Sequence, residues 1–248
     1  MLTPAGEALA DYVLRAEALL ANGRRAVDAA GDPAVGSVAV GASGIPGTYL
    51  LPSVVARFRQ LNPGISVELR LSTSGGTLAA VRSHALELGI VGGHQPPPEL
   101  ESEPLVDDEI VLVGPGALSG RRLDGAELSK LTWLSREEGS ATRAAVDAAC
   151  WEIGLNPQRR VELPSWEAVK LAVANGDGIA ACSRYALTLE LAAGALTVLD
   201  MPKWRVNRLI AVVRARDVPL TPAAERFLEY LRGELPAQAR GRLASRAS

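Results

Sequence analysis

Residues 38–91 read VAVGASGIPGTYLLPSVVARFRQLNPGISVELRLSTSGGTLAAVRSHALELGIV, and their pattern sets the fold class. Val38-Ala39-Val40 fits a short strand that enters Gly41-Ala42-Ser43-Gly44, after which a helix is predicted from about Pro46 to Leu61. Ile65, Val67, Leu69 and Leu71 alternate with polar residues, the period of a strand covered on one face. Ser72-Thr73-Ser74 brings hydroxyls to the start of a short helix ending near His84, and Leu88-Gly89-Ile90-Val91 is a third strand. Strand–helix–strand–helix–strand is the order of a parallel sheet, because only a crossover returns the chain to begin a second strand in the same direction.

The rhythm continues downstream. Glu109–Val113 is a strand, and Gly114-Pro115-Gly116 marks a crossing into a second lobe. There strands are predicted at 131–134, 160–163, 178–182 and 196–199, with helices at 140–153, 165–174 and on to about Leu191. Val206–Val213 leads back, and Thr221-Pro222 opens a final helix to about Leu235. The expected division is a helix at 1–31, lobe I at 32–113 and 214–235, lobe II at 114–213, and a disordered tail at 236–248, which is rich in alanine and arginine without periodicity. One departure and one return make two crossover segments, hence a hinge with a cleft beside it that suits a small ligand.

Upstream, Thr3-Pro4 is a helix start, and no further proline follows until Pro33. Leu2, Leu9, Ala16, Gly23 and Ala30 form one row at heptad spacing, and Gly6, Val13, Leu20 and Val27 form a second. Both rows fall on one narrow seam, which favours a partner helix over folding back on its own domain. Gly31-Asp32-Pro33 then breaks the helix. The very apolar helix bearing Leu50, Leu51, Val54, Val55, Phe58 and Leu61 is broader than one core face requires, and this too points to a homodimer.

Composition narrows the function. The 248 residues are 48% apolar and 22% charged with a formal net charge of −2, the balance of a globular chain with a substantial core. No concentrated basic face is present to grip a nucleic-acid backbone. Cys150 and Cys182 lie in apolar segments and fit buried free thiols in a reducing cytoplasm. Glu7, Asp11, Arg15 and Glu17 interrupt the only early apolar stretch, so neither a signal peptide nor a membrane span is expected. His84 and His94 lack metal-ligand spacing. Neither a Gly-x-Ser-x-Gly elbow nor a phosphate-binding Gly-x4-Gly-Lys loop occurs, and Gly41, Gly44 and Gly47 do not make a dinucleotide fingerprint. No catalytic residue, metal or cofactor is therefore expected.

Several segments, in order and spacing, resemble the LysR-type transcriptional regulators. They are Leu2-Thr3-Pro4-Ala5-Gly6-Glu7, Tyr49-Leu50-Leu51-Pro52, Phe58-Arg59, Asn62-Pro63-Gly64 and Leu86–Val91. In the second lobe they are Arg136–Arg143, Ser165–Lys170 and Gly176–Ala180. The resemblance implies an α/β, two-lobed fold of the type II periplasmic-binding-protein class behind a long N-terminal linker helix. It implies a homodimer, or a tetramer in a full-length parent. It also implies transcription control through a winged helix-turn-helix, which in the family stands before the linker helix. This chain starts at the linker, so DNA contact is expected only of a parent protein.

Three segments place small hydroxyls where a strand ends and a helix begins: Ser43 with Gly44, Thr73 with Ser74, and Gly139-Ser140-Ala141-Thr142. Free N–H groups and the positive end of the helix dipole favour anions there. The resemblance implies that the same positions hold a small anionic metabolite effector. Ile45 departs from it, being apolar where relatives are often polar. Trp166 is either a wall of the ligand cleft or ordinary packing. Two other readings stay open: a stand-alone or exported solute-binding protein of the same fold, and an enzyme built on it.

Overall fold

A computed structural model describes residues 3–30, 34–93 and 95–244. Leu2, the expected break at Gly31-Asp32-Pro33, His94 and the last four residues lie outside them. The chain divides into two units, Met1–Val106 with Ile210–Ser248, and Asp107–Leu209.

In the first unit β1 (Gly36–Ser43) runs parallel to β2 (Ile65–Ser72) from Gly36↔Ile65 to Ser43↔Ser72. On its other side β1 pairs in parallel with β3 (Leu88–Gly92), in register from Val40↔Leu88. The helices α2 (Leu51–Leu61) and α3 (Ser74–Arg82) are the crossovers. Gly89 lets α3 lie close to the sheet, since a Cβ there would come within 2.9 Å of Thr77, Val81 and Val213 methyl groups. The start of β4 (Leu100–Pro115), the end of β9 (Val206–Ala215) and α8 (Pro222–Ala244) complete the unit. β9 lies antiparallel to β3, from Gly89↔Val213 to Gly92↔Ile210.

The α2 apolar surface is used inside the chain. Leu50, Leu51, Val54 and Phe58 are fully buried, and α8 covers the helix with Phe227 in edge-to-face contact with Phe58 at 5.1 Å. Of the six apolar residues of this helix expected to feed a dimer contact, Leu61 alone is exposed and Val55 is half-buried. A helix pressed between a sheet and a second helix needs two apolar faces, so most of the apolar breadth is accounted for within the chain.

The final helix also runs further than expected. α8 continues through Pro236 to Ala244, where a disordered tail was predicted. Leu231, Leu235 and Ala239 recur every four residues and are buried, while Glu234 pairs with Arg57 at 3.2 Å and Gln238 accepts from Ser53 at 2.9 Å. These contacts with α2 outweigh the backbone hydrogen bond lost at proline. Residues 46–50 are wound with a wider hydrogen-bond step, Leu51 N–H donating to Pro46 O, rather than as α-helix. Pro52 has no N–H to offer in α register just where the winding changes.

The long helix α1 (Pro4–Ala30) docks on this unit by one face. Asn22 Nδ2 donates to His84 O at 3.4 Å, and Arg25 bonds the Asn22 side chain and lies 3.8 Å from buried Glu87. Glu87 also accepts from Thr221 N–H at 3.0 Å, at the start of α8. At about 100° per residue, the heptad rows fall on the opposite face. Leu9, Val13, Leu20 and Val27 are all exposed there.

In the second unit β5 (Thr132–Ser135) pairs in parallel with β6 (Arg159–Glu162) on one side and β7 (Ile179–Ser183) on the other. β7 lies antiparallel to β4, which also carries β8 (Leu196–Val198). The helices are α4 (Gly125–Lys130), α5 (Ala141–Glu152), α6 (Trp166–Ala174) and α7 (Thr188–Ala192). Trp133 and Trp204 centre the core with rings 6.1 Å apart, each indole N–H donating to a backbone carbonyl at 2.9 Å, on Leu128 and Ile110. The helix α4 is not among the elements expected from the sequence, although Asp124 and Glu127 form a reciprocal capping box.

β4 is also longer than expected, starting at Leu100 rather than Glu109. Glu101, Glu103 and Pro104 obscure its alternation, and the acids are answered by Arg214 and Arg232. β4 and β9 run through the unit divisions at Val106/Asp107 and Leu209/Ile210. Predicted boundaries at 113/114 and 213/214 had set both crossings at strand ends.

Candidate functional site

Strand order picks out one end of each unit. In a parallel sheet the loops after two neighbouring strands part company where the chain order reverses, and ligands settle in that crevice. In the first unit the reversal is at β1, flanked by β2 and β3. In the second it is at β5, flanked by β6 and β7.

Ser43 is the last residue of β1 and is buried, with Gly44 just after it. Its register partner Ser72 brings Thr73 and Ser74 to the same sheet end. Thr73 caps α3, accepting from Gly76 N–H at 3.1 Å, so its hydroxyl is engaged by the helix. Ser74, first residue of α3, is buried at 3% exposure. Ile45 is buried as well, in keeping with its apolar side chain.

In the second unit β5 ends at Ser135, and the chain turns through Arg136-Glu137-Glu138-Gly139 into α5. Gly139 adopts φ +88°, a conformation open to glycine, and Ser140 N–H closes the turn on Glu137 O at 3.2 Å. Ser140 stands at the cap position, yet its side chain bonds no amide of the helix. The first-turn N–H groups therefore lack a side-chain acceptor from the cap residue. Thr142 is buried in that first turn. Trp166 opens α6 behind the Ser165 cap, whose hydroxyl accepts from Ala168 N–H at 3.1 Å. It is buried at 6% exposure, with the Arg136 guanidinium 5.8 Å over its ring.

The structure thus gathers Ser43, Gly44, Thr73 and Ser74 at one sheet end, and Gly139, Ser140, Thr142 and Trp166 at another. What sequence reasoning missed is Arg136, a cation standing directly at the reversal point. A charged residue immediately after a buried strand was the available signal.

Both cysteines are buried, and burial pushes the Cys150 thiol up to about 11 and the Cys182 thiol up as well, away from the reactive thiolate. Among the described residues no group of three metal-ligating side chains gathers, and no helix is long and apolar enough to cross a membrane.

Comparison with known proteins agrees with this architecture. The family model of the LysR substrate binding domain matches residues 31–236. The chain belongs to the LysR substrate-binding domain family. A protein of Anaeromyxobacter dehalogenans described as the phosphonates import ATP-binding protein PhnC is 38% identical, over 83% of this chain and 43% of that protein. The regulator CbbR of Xanthobacter flavus is 32% identical over 94% of this chain and 71% of its own length. The chain therefore spans less than half of the former and about seven-tenths of the latter. Among solved structures, the regulatory domain of Synechocystis CcmR in complex with 2-PG superposes with a TM-score of 0.72 at 28% identity, covering 80% of this chain and 97% of that one. The two-unit α/β organisation expected from the sequence is that of this family.

Proposed function

We propose that this chain is the effector-sensing and dimerising part of a LysR-type transcriptional regulator of the cytoplasm, binding a small oxyanion without converting it. The observation that carries this reading is the pair of reversal points, each furnished with at least one buried hydroxyl and a helix N-terminus. The relatives favour phosphorus chemistry: CcmR is described with 2-PG bound, and PhnC is named for phosphonates. DNA contact belongs to a winged helix-turn-helix of the parent protein.

A thermal-shift screen of organic acids, phosphonates and inorganic oxyanions tests it. Effector at about a hundred times its dissociation constant should stabilise the chain by about 2.7 kcal/mol. Ser74→Ala, at the first unit's reversal point, or Thr142→Ala, at the second's, should weaken the effector about ten- to a hundredfold, the effect of losing one hydrogen bond to a charged ligand. A stabilising anion to which both variants respond like the parent would refute the site. No stabilising anion at all would remove the sensing reading.

The second copy is expected to pair through α1, whose exposed Leu9, Val13, Leu20 and Val27 form a stripe opposite the docked face. Light scattering should give twice the 26.0 kDa chain mass. Leu20→Glu together with Val27→Glu should give the monomer. A parent that is already monomeric at tens of micromolar would contradict the pairing.

One alternative has a specific observation behind it. The 38% identity to a protein named for phosphonate import favours use as a solute-binding portion of a transport protein. Operator binding by the full-length protein would decide for the regulator, and ATP binding for transport.

A further inference from the structure

Arg136 directly follows the last residue of β5, at the strand end where chain order reverses. Its side chain is 17% exposed, and its guanidinium lies over the Trp166 ring. Nε and Nη2 grip the two oxygens of Glu137 at 2.6 and 2.7 Å, the side-on fork an arginine offers to a carboxylate or phosphate. The neighbouring cations are committed to other acids, Arg143 to Glu162 at 2.7 Å and Arg160 to Asp147. The pocket lined by Ser135, Arg136, Arg143 and Trp166 holds about 10 Å³, room for a single water. That pocket is too small for an organic anion while these side chains keep their places.

We propose that Glu137 is an internal competitor for the effector. Its carboxylate occupies the Arg136 fork when the chain is empty, and an effector oxyanion binds by taking that place. This rests on the oxyanion-sensing reading above and adds which residue reads the charge and which sets the threshold. Glu137 is tethered one residue away, so it competes at high effective concentration. A monocarboxylate offers Arg136 no more than Glu137 already provides. A dianionic phosphate or phosphonate offers more charge to the same fork. Glu137 is thus a specificity-determining residue that rejects simple carboxylates. Because it opens the turn leading into α5, its release is also the local change that binding imprints on the second unit.

Calorimetric titration of the full chain with 2-phosphoglycolate, inorganic phosphate and acetate tests this on the parent, Glu137→Gln, Arg136→Gln and Arg136→Lys. Glu137→Gln should bind 2-phosphoglycolate about tenfold tighter and should gain measurable acetate binding. Arg136→Gln should bind about ten- to a hundredfold more weakly than the parent, with partial recovery in Arg136→Lys. Melting temperatures without ligand show that each variant is folded. A parent that binds 2-phosphoglycolate while Glu137→Gln binds it equally or more weakly overturns the competitor and leaves oxyanion sensing intact. If none of the three anions binds the parent or Glu137→Gln, the oxyanion-sensing reading falls, and this inference with it.

Discussion

Arg208→Met is expected to lower the unfolding free energy by about 3–5 kcal/mol, the usual consequence of stranding one member of a buried ion pair. Arg208 Nε lies 2.8 Å from Asp108 Oδ2, with the aspartate side chain fully buried and the arginine side chain at 6% exposure. Ser183 donates its hydroxyl to the other aspartate oxygen at 2.5 Å. Burial pushes the Asp108 carboxyl above its ordinary range, and the charge of Arg208 works against that rise. Without Arg208 the rise should be larger. A carboxyl whose folded pKa is raised holds its proton more tightly folded than unfolded, so its stability contribution is present at low pH and lost as pH rises through the folded value. The deficit of Arg208→Met relative to the parent should therefore shrink between pH 7 and pH 5. Asp108→Asn combined with Arg208→Met should recover most of the loss, since no uncompensated charge remains. Urea denaturation of the parent, Arg208→Met and the double variant at both pH values makes the check. A single-variant cost below about 1 kcal/mol would mean that water reaches the pair.

The second large effect belongs to the first unit. Phe58→Ala should destabilise by about 3–5 kcal/mol, combining lost burial with the cavity left behind. The ring is fully buried, 5.1 Å and near-perpendicular to Phe227, and 5.4 Å from Tyr230. It is therefore the bolt between α2 and α8. Phe58→Leu keeps much of the volume and should lose less, under about 2 kcal/mol. Chemical denaturation with matched m-values separates the cases. Similar losses for both variants would show that the ring geometry, rather than the filled volume, holds α8 in place.

The turns that carry the candidate site could be read from the residues themselves. The hydroxyls at 43, 73–74 and 140–142 announced strand-to-helix turns because such residues favour helix starts, where an oxygen can accept from an amide two or three residues away. Thr73 does so in the structure, as does Ser165, whereas Ser140 does not. Arg136 escaped notice because its one local signal, a charge directly after a strand, is shared with arginines on ordinary polar turns. Its meaning comes from β5 lying between β6 and β7, and that order is a choice among sheet edges. The same limit applies to α2, whose apolar breadth was visible but whose cover, α8, lies more than 160 residues later.

By itself the sequence determined whatever depends on period and neighbour: alternating strands, capped crossover helices and the seam of α1. Those patterns arise from backbone geometry repeated over a few residues, so each element states its own type and its own apolar face. Tertiary structure alone decided which faces meet. It set β1 and β5 at the reversal points, turned the docked face of α1 away from its seam, and joined Asp108 to Arg208 across 100 positions of chain. Such pairings depend on which long-range contacts together bury the most apolar surface and leave the fewest charges unanswered. That comparison is made over the whole chain at once, and no single stretch contains it.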